Sequence, residues 1–263
     1  MKYLEPTPEY GLPIVESEGL TRIVARNPGP MTYHGTNTWL IDTPEGRVVL
    51  DPGPDDPEHL RAVLDACGGG TPTIFVTHWH HDHEAGAATL AQMSGATVYG
   101  GAQGLDVDAF HAPGLRLVKT PGHSMDHVCL DIGGGRLLSG DHIMGWSTTV
   151  VPRSPHGDMR LYLDSLQSVL SAGYEAIFSA HGPTITEPEA FVQGLIRARQ
   201  RKIQQTRGLL TQGWRSEEEL RDELYGAMPD KLRRASAEML GAMLDELELR
   251  GEAERGEDGW RAA

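Results

Sequence analysis

The chain of 263 residues is long enough for one large domain or for a medium and a small one, and 39% hydrophobic with 23% charged residues is ordinary for a globular protein. The net charge of −14 is concentrated in residues 1–196, with 10 Lys/Arg against 23 Asp/Glu, while residues 197–263 carry 13 against 14; neither part has the basic excess of a duplex DNA binder. Two distant cysteines, Cys67 and Cys129, exclude a disulfide framework, no apolar run approaches the ~20 residues of a membrane span, and the polar, proline-rich start is not that of a signal peptide, so a cytoplasmic protein without membrane contact is expected.

In chain order, Leu20–Ala25 reads as a strand, and Thr38–Ile41 and Arg47–Leu50 as a hairpin across Asp42-Thr43-Pro44-Glu45-Gly46. Pro57–Cys67 has Leu60, Val63 and Leu64 at helical spacing and stops at Gly68–Gly70. Thr73–Val76 is a short buried strand, Glu84–Ser94 a helix, Ala96–Tyr99 and Leu115–Val118 strands. His127–Ile132 and Leu137–Ser139 form a hairpin around three glycines, Asp158–Ser171 is a helix and Ala176–Ser179 a strand. Hairpins first, then strands alternating with helices, imply a sandwich with helices outside. After Pro188 the pattern is helical. Helices run over about 189–211, from Ser216 through Tyr225 behind the capping box Ser216-Glu217-Glu218-Glu219, and over about 230–249. Gly251–Arg255 and Trp260–Ala262 flank a turn, so this part reads as a small winged-helix-like module, with the boundary between domains placed at 194/195.

The chemistry concentrates at Thr77–His83, T-H-W-H-H-D-H, directly after the Thr73–Val76 strand. His78, His80, Asp82 and His83 are four metal-type donors within six residues, and imidazole with carboxylate suits zinc, and less well iron or manganese. His78 and His80 are two apart, so a strand end or loop must aim them at one point, whereas a helix would use a spacing of four. Asp82 and His83 are adjacent and must point apart, which suggests two metals side by side. Three further single donors, His123, Asp141 and His181, each follow a predicted strand.

The motifs H-W-H-H-D-H at 78–83, T-P-G-H at 120–123, S-G-D at 139–141 and H-G-P at 181–183, with D-P-G at 51–53, resemble the metallo-β-lactamase superfamily. The resemblance implies an α/β fold, an αββα sandwich with its metal site at one edge. It also implies a site of two divalent ions, with His78, His80 and His123 on the first, Asp82, His83 and His181 on the second, and Asp141 bridging. Histidine at position 80, where diiron oxidases of the superfamily carry glutamate, argues for a hydrolase using a metal-bridging hydroxide, with Asp82 and Asp141 as the catalytic carboxylates. T-P-G-H-S-M-D-H at 120–127, G-W-S-T-T-V at 145–150 and the C-terminal module are similar to the β-lactamase-like protein 2 group, which includes endoribonucleases. The expected substrate is therefore either single-stranded RNA or a small thioester, lactone or lactam, and duplex DNA is disfavoured. A non-catalytic nucleic-acid-binding regulator is the competing class. His127 and His142 are candidates for substrate contact beside His123 and Asp141. So are Arg199, Arg201 and Lys202 in the one dense positive stretch, 197–216, which has no acidic residue. Asp51 is a candidate to orient a ligand histidine.

Overall fold

The computed structural model describes residues 4–226 and 229–263. The chain forms two compact units, one built from residues up to Lys119 with Asp126–Ser147 and Tyr174–Thr186, the other from Thr120–Met125, Thr148–Gly173 and Glu187–Ala263. A cut at residue 194 falls inside one long helix of the second unit, so the units do not follow the expected 1–194 and 195–263 division.

The first unit holds two mixed sheets. In the larger, β1 (Ile14–Ser17), β2 (Leu20–Val24), β3 (Asn37–Thr43), β4 (Gly46–Leu50), β5 (Thr73–Val76) and β6 (Thr97–Gly100) lie in sequence order. The first four are antiparallel, and β4, β5 and β6 run parallel. The change comes where α1 (Pro57–Ala66), α2 (His81–Glu84) and α3 (Ala87–Ser94) supply crossovers, since parallel neighbours cannot be joined by a tight turn. The smaller sheet has β7 (Arg116–Lys119), β8 (Val128–Asp131), β9 (Arg136–Leu138) and β10 (Ala176–Phe178) in the order β10-β9-β8-β7, with β9 and β10 parallel.

The period of two along each central strand divides two cores. Trp39, Ile41, Val48, Leu50 and Phe75 point to the smaller sheet, where they meet Val128, Leu130, Leu138 and Phe178. Trp39 and Phe178 pack edge to face with centroids 5.5 Å apart. Leu40, Val49, Ile74 and Val76 alternate to the other face and pack with Leu60 and Val63 of α1 and Leu90 of α3. The expected sheet-on-sheet core with helices outside the larger sheet is present.

Two local differences have clear causes. The helix expected over 84–94 breaks at Gly86, whose N–H donates to Gly53 O at 2.9 Å and whose added Cβ would fall 2.7 Å from Leu60, so α2 and α3 turn where the chain must pass close to the preceding loop. Strand β1, which the sequence does not signal, is a half-exposed edge strand with an irregular register against β2.

In the second unit, α4 (Met159–Ala172) starts at an Asp158 cap that accepts the Leu161 N–H at 2.8 Å and ends at Gly173 in the left-handed conformation. Then come α5 (Pro188–Leu210), α6 (Glu217–Tyr225) behind the expected Ser216/Glu219 capping box, α7 (Asp230–Leu249) and a hairpin of β11 (Ala253–Gly256) and β12 (Gly259–Ala262). Arg153 ties the loop before α4 to this bundle, bonding Asp245 at 2.6 Å and Glu217 at 3.1 Å. Among the described residues no helix is long and apolar enough to cross a membrane.

His59 of α1 is buried, and its Nε2 lies 2.9 Å from Thr38 Oγ1, which in turn donates to Asp51 O. Burial lowers its pKa from 6.5 to about 4, only partly opposed by Asp56 and the Pro52 backbone. The unfolded chain therefore takes up this proton first as the pH falls. Stability linked to His59 is complete above pH 6.5 and is lost between 6.5 and about 4, by up to ~3 kcal/mol. Urea unfolding from pH 7.5 to 4 should show this decline, and His59→Gln should flatten it relative to the parent protein.

Candidate metal centre

Both sheets deliver donors at the carboxyl ends of parallel strands, where an open sheet leaves a crevice. Asp51 follows β4, Thr77–His83 follow β5, Asp141 follows β9 and His181 follows β10. Four donor atoms of the first unit converge. His181 Nε2 lies 3.3 Å from both Asp82 Oδ2 and Asp141 Oδ1, and His83 Nε2 lies 3.5 Å from Asp141 Oδ1 and 3.8 Å from Asp82 Oδ2. A tetrahedral ion with ligands at ~2.0–2.2 Å sets its donors roughly 3.3–3.6 Å apart; three of these separations fall in that range, and the His83–Asp82 one, at 3.8 Å, lies just beyond it. His83 Nε2 and His181 Nε2 are buried and, among the described residues, have no hydrogen-bond partner, as expected of nitrogens reserved for a ligand bond. His78, His80 and Asp141 bring a second set of donor atoms within 4.8 Å of one another, with His78 Nε2 and His80 Nδ1 2.8 Å apart.

The far nitrogen of each buried histidine is held by the chain. His83 Nδ1 lies 2.9 Å from Asp51 Oδ2, His78 Nδ1 2.9 Å from Thr77 Oγ1, and His181 Nδ1 3.2 Å from Gly35 O. Asp51 also accepts the Thr77 N–H at 2.7 Å and the Thr77 hydroxyl at 2.9 Å. It does so from a left-handed backbone (φ 50°), uncommon for a non-glycine residue and characteristic of functional positions. Gly35 is also required by space, because a Cβ there would sit 1.9 Å from Ala25 O. Thr36 donates its hydroxyl to Asp82 O at 2.9 Å. His123, on the Thr120–Met125 segment of the second unit, is buried with its Nδ1 2.6 Å from Val150 O.

Electrostatics follow from crowding. Burial disfavours the charged form of His83, but Asp141, Asp51 and Asp82 outweigh it and raise its pKa well above the ordinary value. His181 is raised in the same way by Asp141 and Asp82 against its burial. Burial of Asp82 acts to raise its pKa, yet His83 and His181 hold it far below the carboxylate range. Three carboxylates around two imidazoles make a pocket that attracts positive charge, and a cation entering it displaces protons from the imidazoles.

The remaining substrate candidates are corrected by their surroundings. His127 is 1% exposed, with Nε2 accepting the Asp141 N–H at 3.2 Å, and His142 is fully buried, so neither is accessible to a substrate. Arg199 is 4% exposed; its guanidinium bonds Thr149 O and stacks over Tyr162, which makes it a structural cation of the second unit. Lys202 donates to Leu224 O at 3.1 Å and lies over Tyr225. Only Arg201 of these five is exposed. Of the supporting residues, Asp51 is signalled in the sequence by its place at a strand end. Thr36, Thr77 and the Gly35 and Val150 carbonyls act through contacts remote in sequence or through the main chain, and although Thr77 and Val150 lie within quoted motifs, nothing in the sequence signals these supporting roles.

An α/β fold of two facing sheets that brings clustered His and Asp donors to the ends of its parallel strands defines a metal-dependent hydrolase. Residues 31–106 match the metallo-β-lactamase superfamily. The chain is 31% identical to a β-lactamase-like protein 2 homologue of Drosophila melanogaster over 89% of each chain. It is also 31% identical to an atrochrysone carboxyl ACP thioesterase of Passalora fulva, over 86% of this chain and 74% of that one. A β-lactamase domain protein from Burkholderia ambifaria of solved structure superposes with a TM-score of 0.87 at 18% identity, over 99% of this chain and 96% of that one. The chain belongs to the metallo-β-lactamase superfamily, whose members typically bind two metal ions.

Asp51 tests the support of the site. Asp51→Ala strands the buried Thr77 and His83 donors and should destabilise the fold by ~2–4 kcal/mol. It should also weaken metal binding ~10–100-fold, the scale of a lost outer-shell partner. Asp51→Asn, which keeps two acceptor lone pairs but not the charge, should fall between. Chemical denaturation and chelator competition measure the two effects.

Proposed function

We propose that the protein is a dinuclear zinc hydrolase in which His78, His80 and His123 hold one cation, Asp82, His83 and His181 the other, and Asp141 both. The observation that carries this reading is the convergence of the Asp82, His83, His181 and Asp141 donor atoms, with imidazole-to-carboxylate separations of 3.3 to 3.8 Å. Nitrogen and oxygen donors without thiolate favour zinc, with iron and manganese compatible with the same set. When bound, the cations supply a Lewis acid and make water a competent nucleophile at neutral pH. The chain's own residues orient and enclose. Asp51, Thr77, Gly35 and Val150 fix the imidazoles, Asp82 and Asp141 offset the positive charge, and the fully buried His83 and His181 close the site on one side. His80 and Asp82 are only half-buried, which leaves that side open to a substrate.

The substrate class best supported is a small acyl compound, a thioester first. The strongly acidic residues 1–196 disfavour a polyanion, and two of the three cations expected to hold phosphate, Arg199 and Lys202, are occupied within the second unit. The similarity to an acyl-carrier thioesterase points the same way. Cleavage of single-stranded RNA is the second reading. It is favoured by the likeness to β-lactamase-like protein 2 and by exposed Arg197, Arg201 and Arg207 on α5, with residues 195–263 then acting as a winged-helix-like module.

Protein purified without chelator should contain close to two equivalents of metal by elemental analysis, and a value near zero that refilling does not raise would remove the proposal. Asp141→Ala in replete protein should lower hydrolysis by more than ~100-fold, beyond the loss expected from an outer-shell partner. Thioester turnover should be nearly insensitive to salt and to Arg201→Ala. RNA cleavage that falls steeply with salt and with Arg201→Ala would instead establish the second reading.

A further inference from the structure

Two of the donor sources of the site belong to different sheets. Thr77–His83 leave β5 of the six-stranded sheet, and Asp141 leaves β9 of the four-stranded one. Bond lengths to a shared cation tolerate only a few tenths of an ångström, so the two loops need a direct mechanical link. Residues 126–128, entering β8, provide one bond each. Asp126 Oδ2 accepts the Trp79 N–H at 3.0 Å, and the Val128 N–H donates to Thr77 O at 3.0 Å. Between them, His127 Nε2 accepts the Asp141 N–H at 3.2 Å, while its ring lies 5.0 Å from that of His78. Its neighbours thus attach to the loop carrying His78 and His80, and His127 itself attaches to Asp141.

Close approach is built into the sequence on the Asp141 side. Gly140 adopts φ +50°, and a Cβ there would fall 2.7 Å from His127 Nε2 and 2.9 Å from Thr77 Oγ1. Glycine is therefore needed for the imidazole to reach the main chain of Asp141. The Asp141 N–H is received by the lone pair of Nε2.

We propose that His127 is a positioning residue: it fixes the main chain of Asp141 against His78, and so sets the reach of the carboxylate shared by both cations. The proposal rests on the two-cation reading. Asp141 completes a set of three other donors on each cation, so a misplaced Asp141 weakens both, and the prediction concerns metal affinity more than total activity. His127→Leu removes the acceptor while filling the space, and His127→Gln restores an acceptor. Stepwise zinc affinity is measured by chelator competition on metal-free protein, with thermal unfolding and circular dichroism alongside. His127→Leu should keep the fold while weakening the binding of zinc ~10–100-fold, and His127→Gln should recover most of that loss. Wild-type affinities for both equivalents in His127→Leu would overturn the proposal. So would a loss of affinity as large in the Gln variant as in the Leu variant, together with lowered unfolding temperature in both, which marks a packing residue. Parent protein that binds fewer than two equivalents would instead overturn the two-cation reading, leaving the two failures distinguishable.

Discussion

The site depends on one buried carboxylate. Asp51 sits at the end of β4 in a left-handed backbone conformation and holds the Thr77 amide, the Thr77 hydroxyl and His83 at once. A buried anion with three donors is costly to form without them and strongly directional with them. It couples the exit of β4 to the exit of β5, so the loop of donors leaves its strand in one direction only. Thr77 passes that order on, because the hydroxyl that donates to Asp51 also lies against His78 Nδ1. The positions of two imidazoles therefore follow from one side chain that bears no ligand role itself.

The rest of the first unit can be understood as keeping that carboxylate dry and fixed. The β3–β4–β5 strands are buried on both faces by alternating side chains, which is why their sequences read as continuous apolar runs. His59, neutral and buried, bonds Thr38, whose hydroxyl donates to the Asp51 carbonyl, so both the side chain and the main chain of Asp51 are engaged. The 27–36 loop is tied in a similar manner, through Asn27 to Thr36 and through the Tyr33 hydroxyl to the segment at Leu4 and Glu5.

Much of this is legible in the sequence because the donors are local to strand ends. A β-branched strand followed by H-W-H-H-D-H states both where the chain stops pairing and what chemistry it then carries. The strands other than β1, the α6 capping box and the C-terminal hairpin are legible for the same reason, being set by periodicity and caps within a few residues. Contacts between remote positions are not legible. Arg199 and Lys202 look like a cationic stripe until tertiary structure turns them toward Thr149, Tyr162 and Leu224. His127 and His142 look like neighbours of a substrate because they are neighbours in sequence of His123 and Asp141, yet both are enclosed. The break at Gly86 and the boundary inside α5 likewise depend on what another part of the chain brings alongside.

Three histidines of the first unit, His78, His83 and His181, each have one nitrogen committed to an acceptor of the protein. A ring tethered in this way has its orientation decided during folding, before any cation arrives. The fold thus behaves as a mould cast in advance. An ion whose radius and angles match the mould gains its full set of bonds with little rearrangement of the chain. One that insists on a rigid octahedron of water, as magnesium does, must either give up that shell or distort walls held by buried hydrogen bonds. Discrimination among ions is in this way written into hydrogen bonds that never touch the ion.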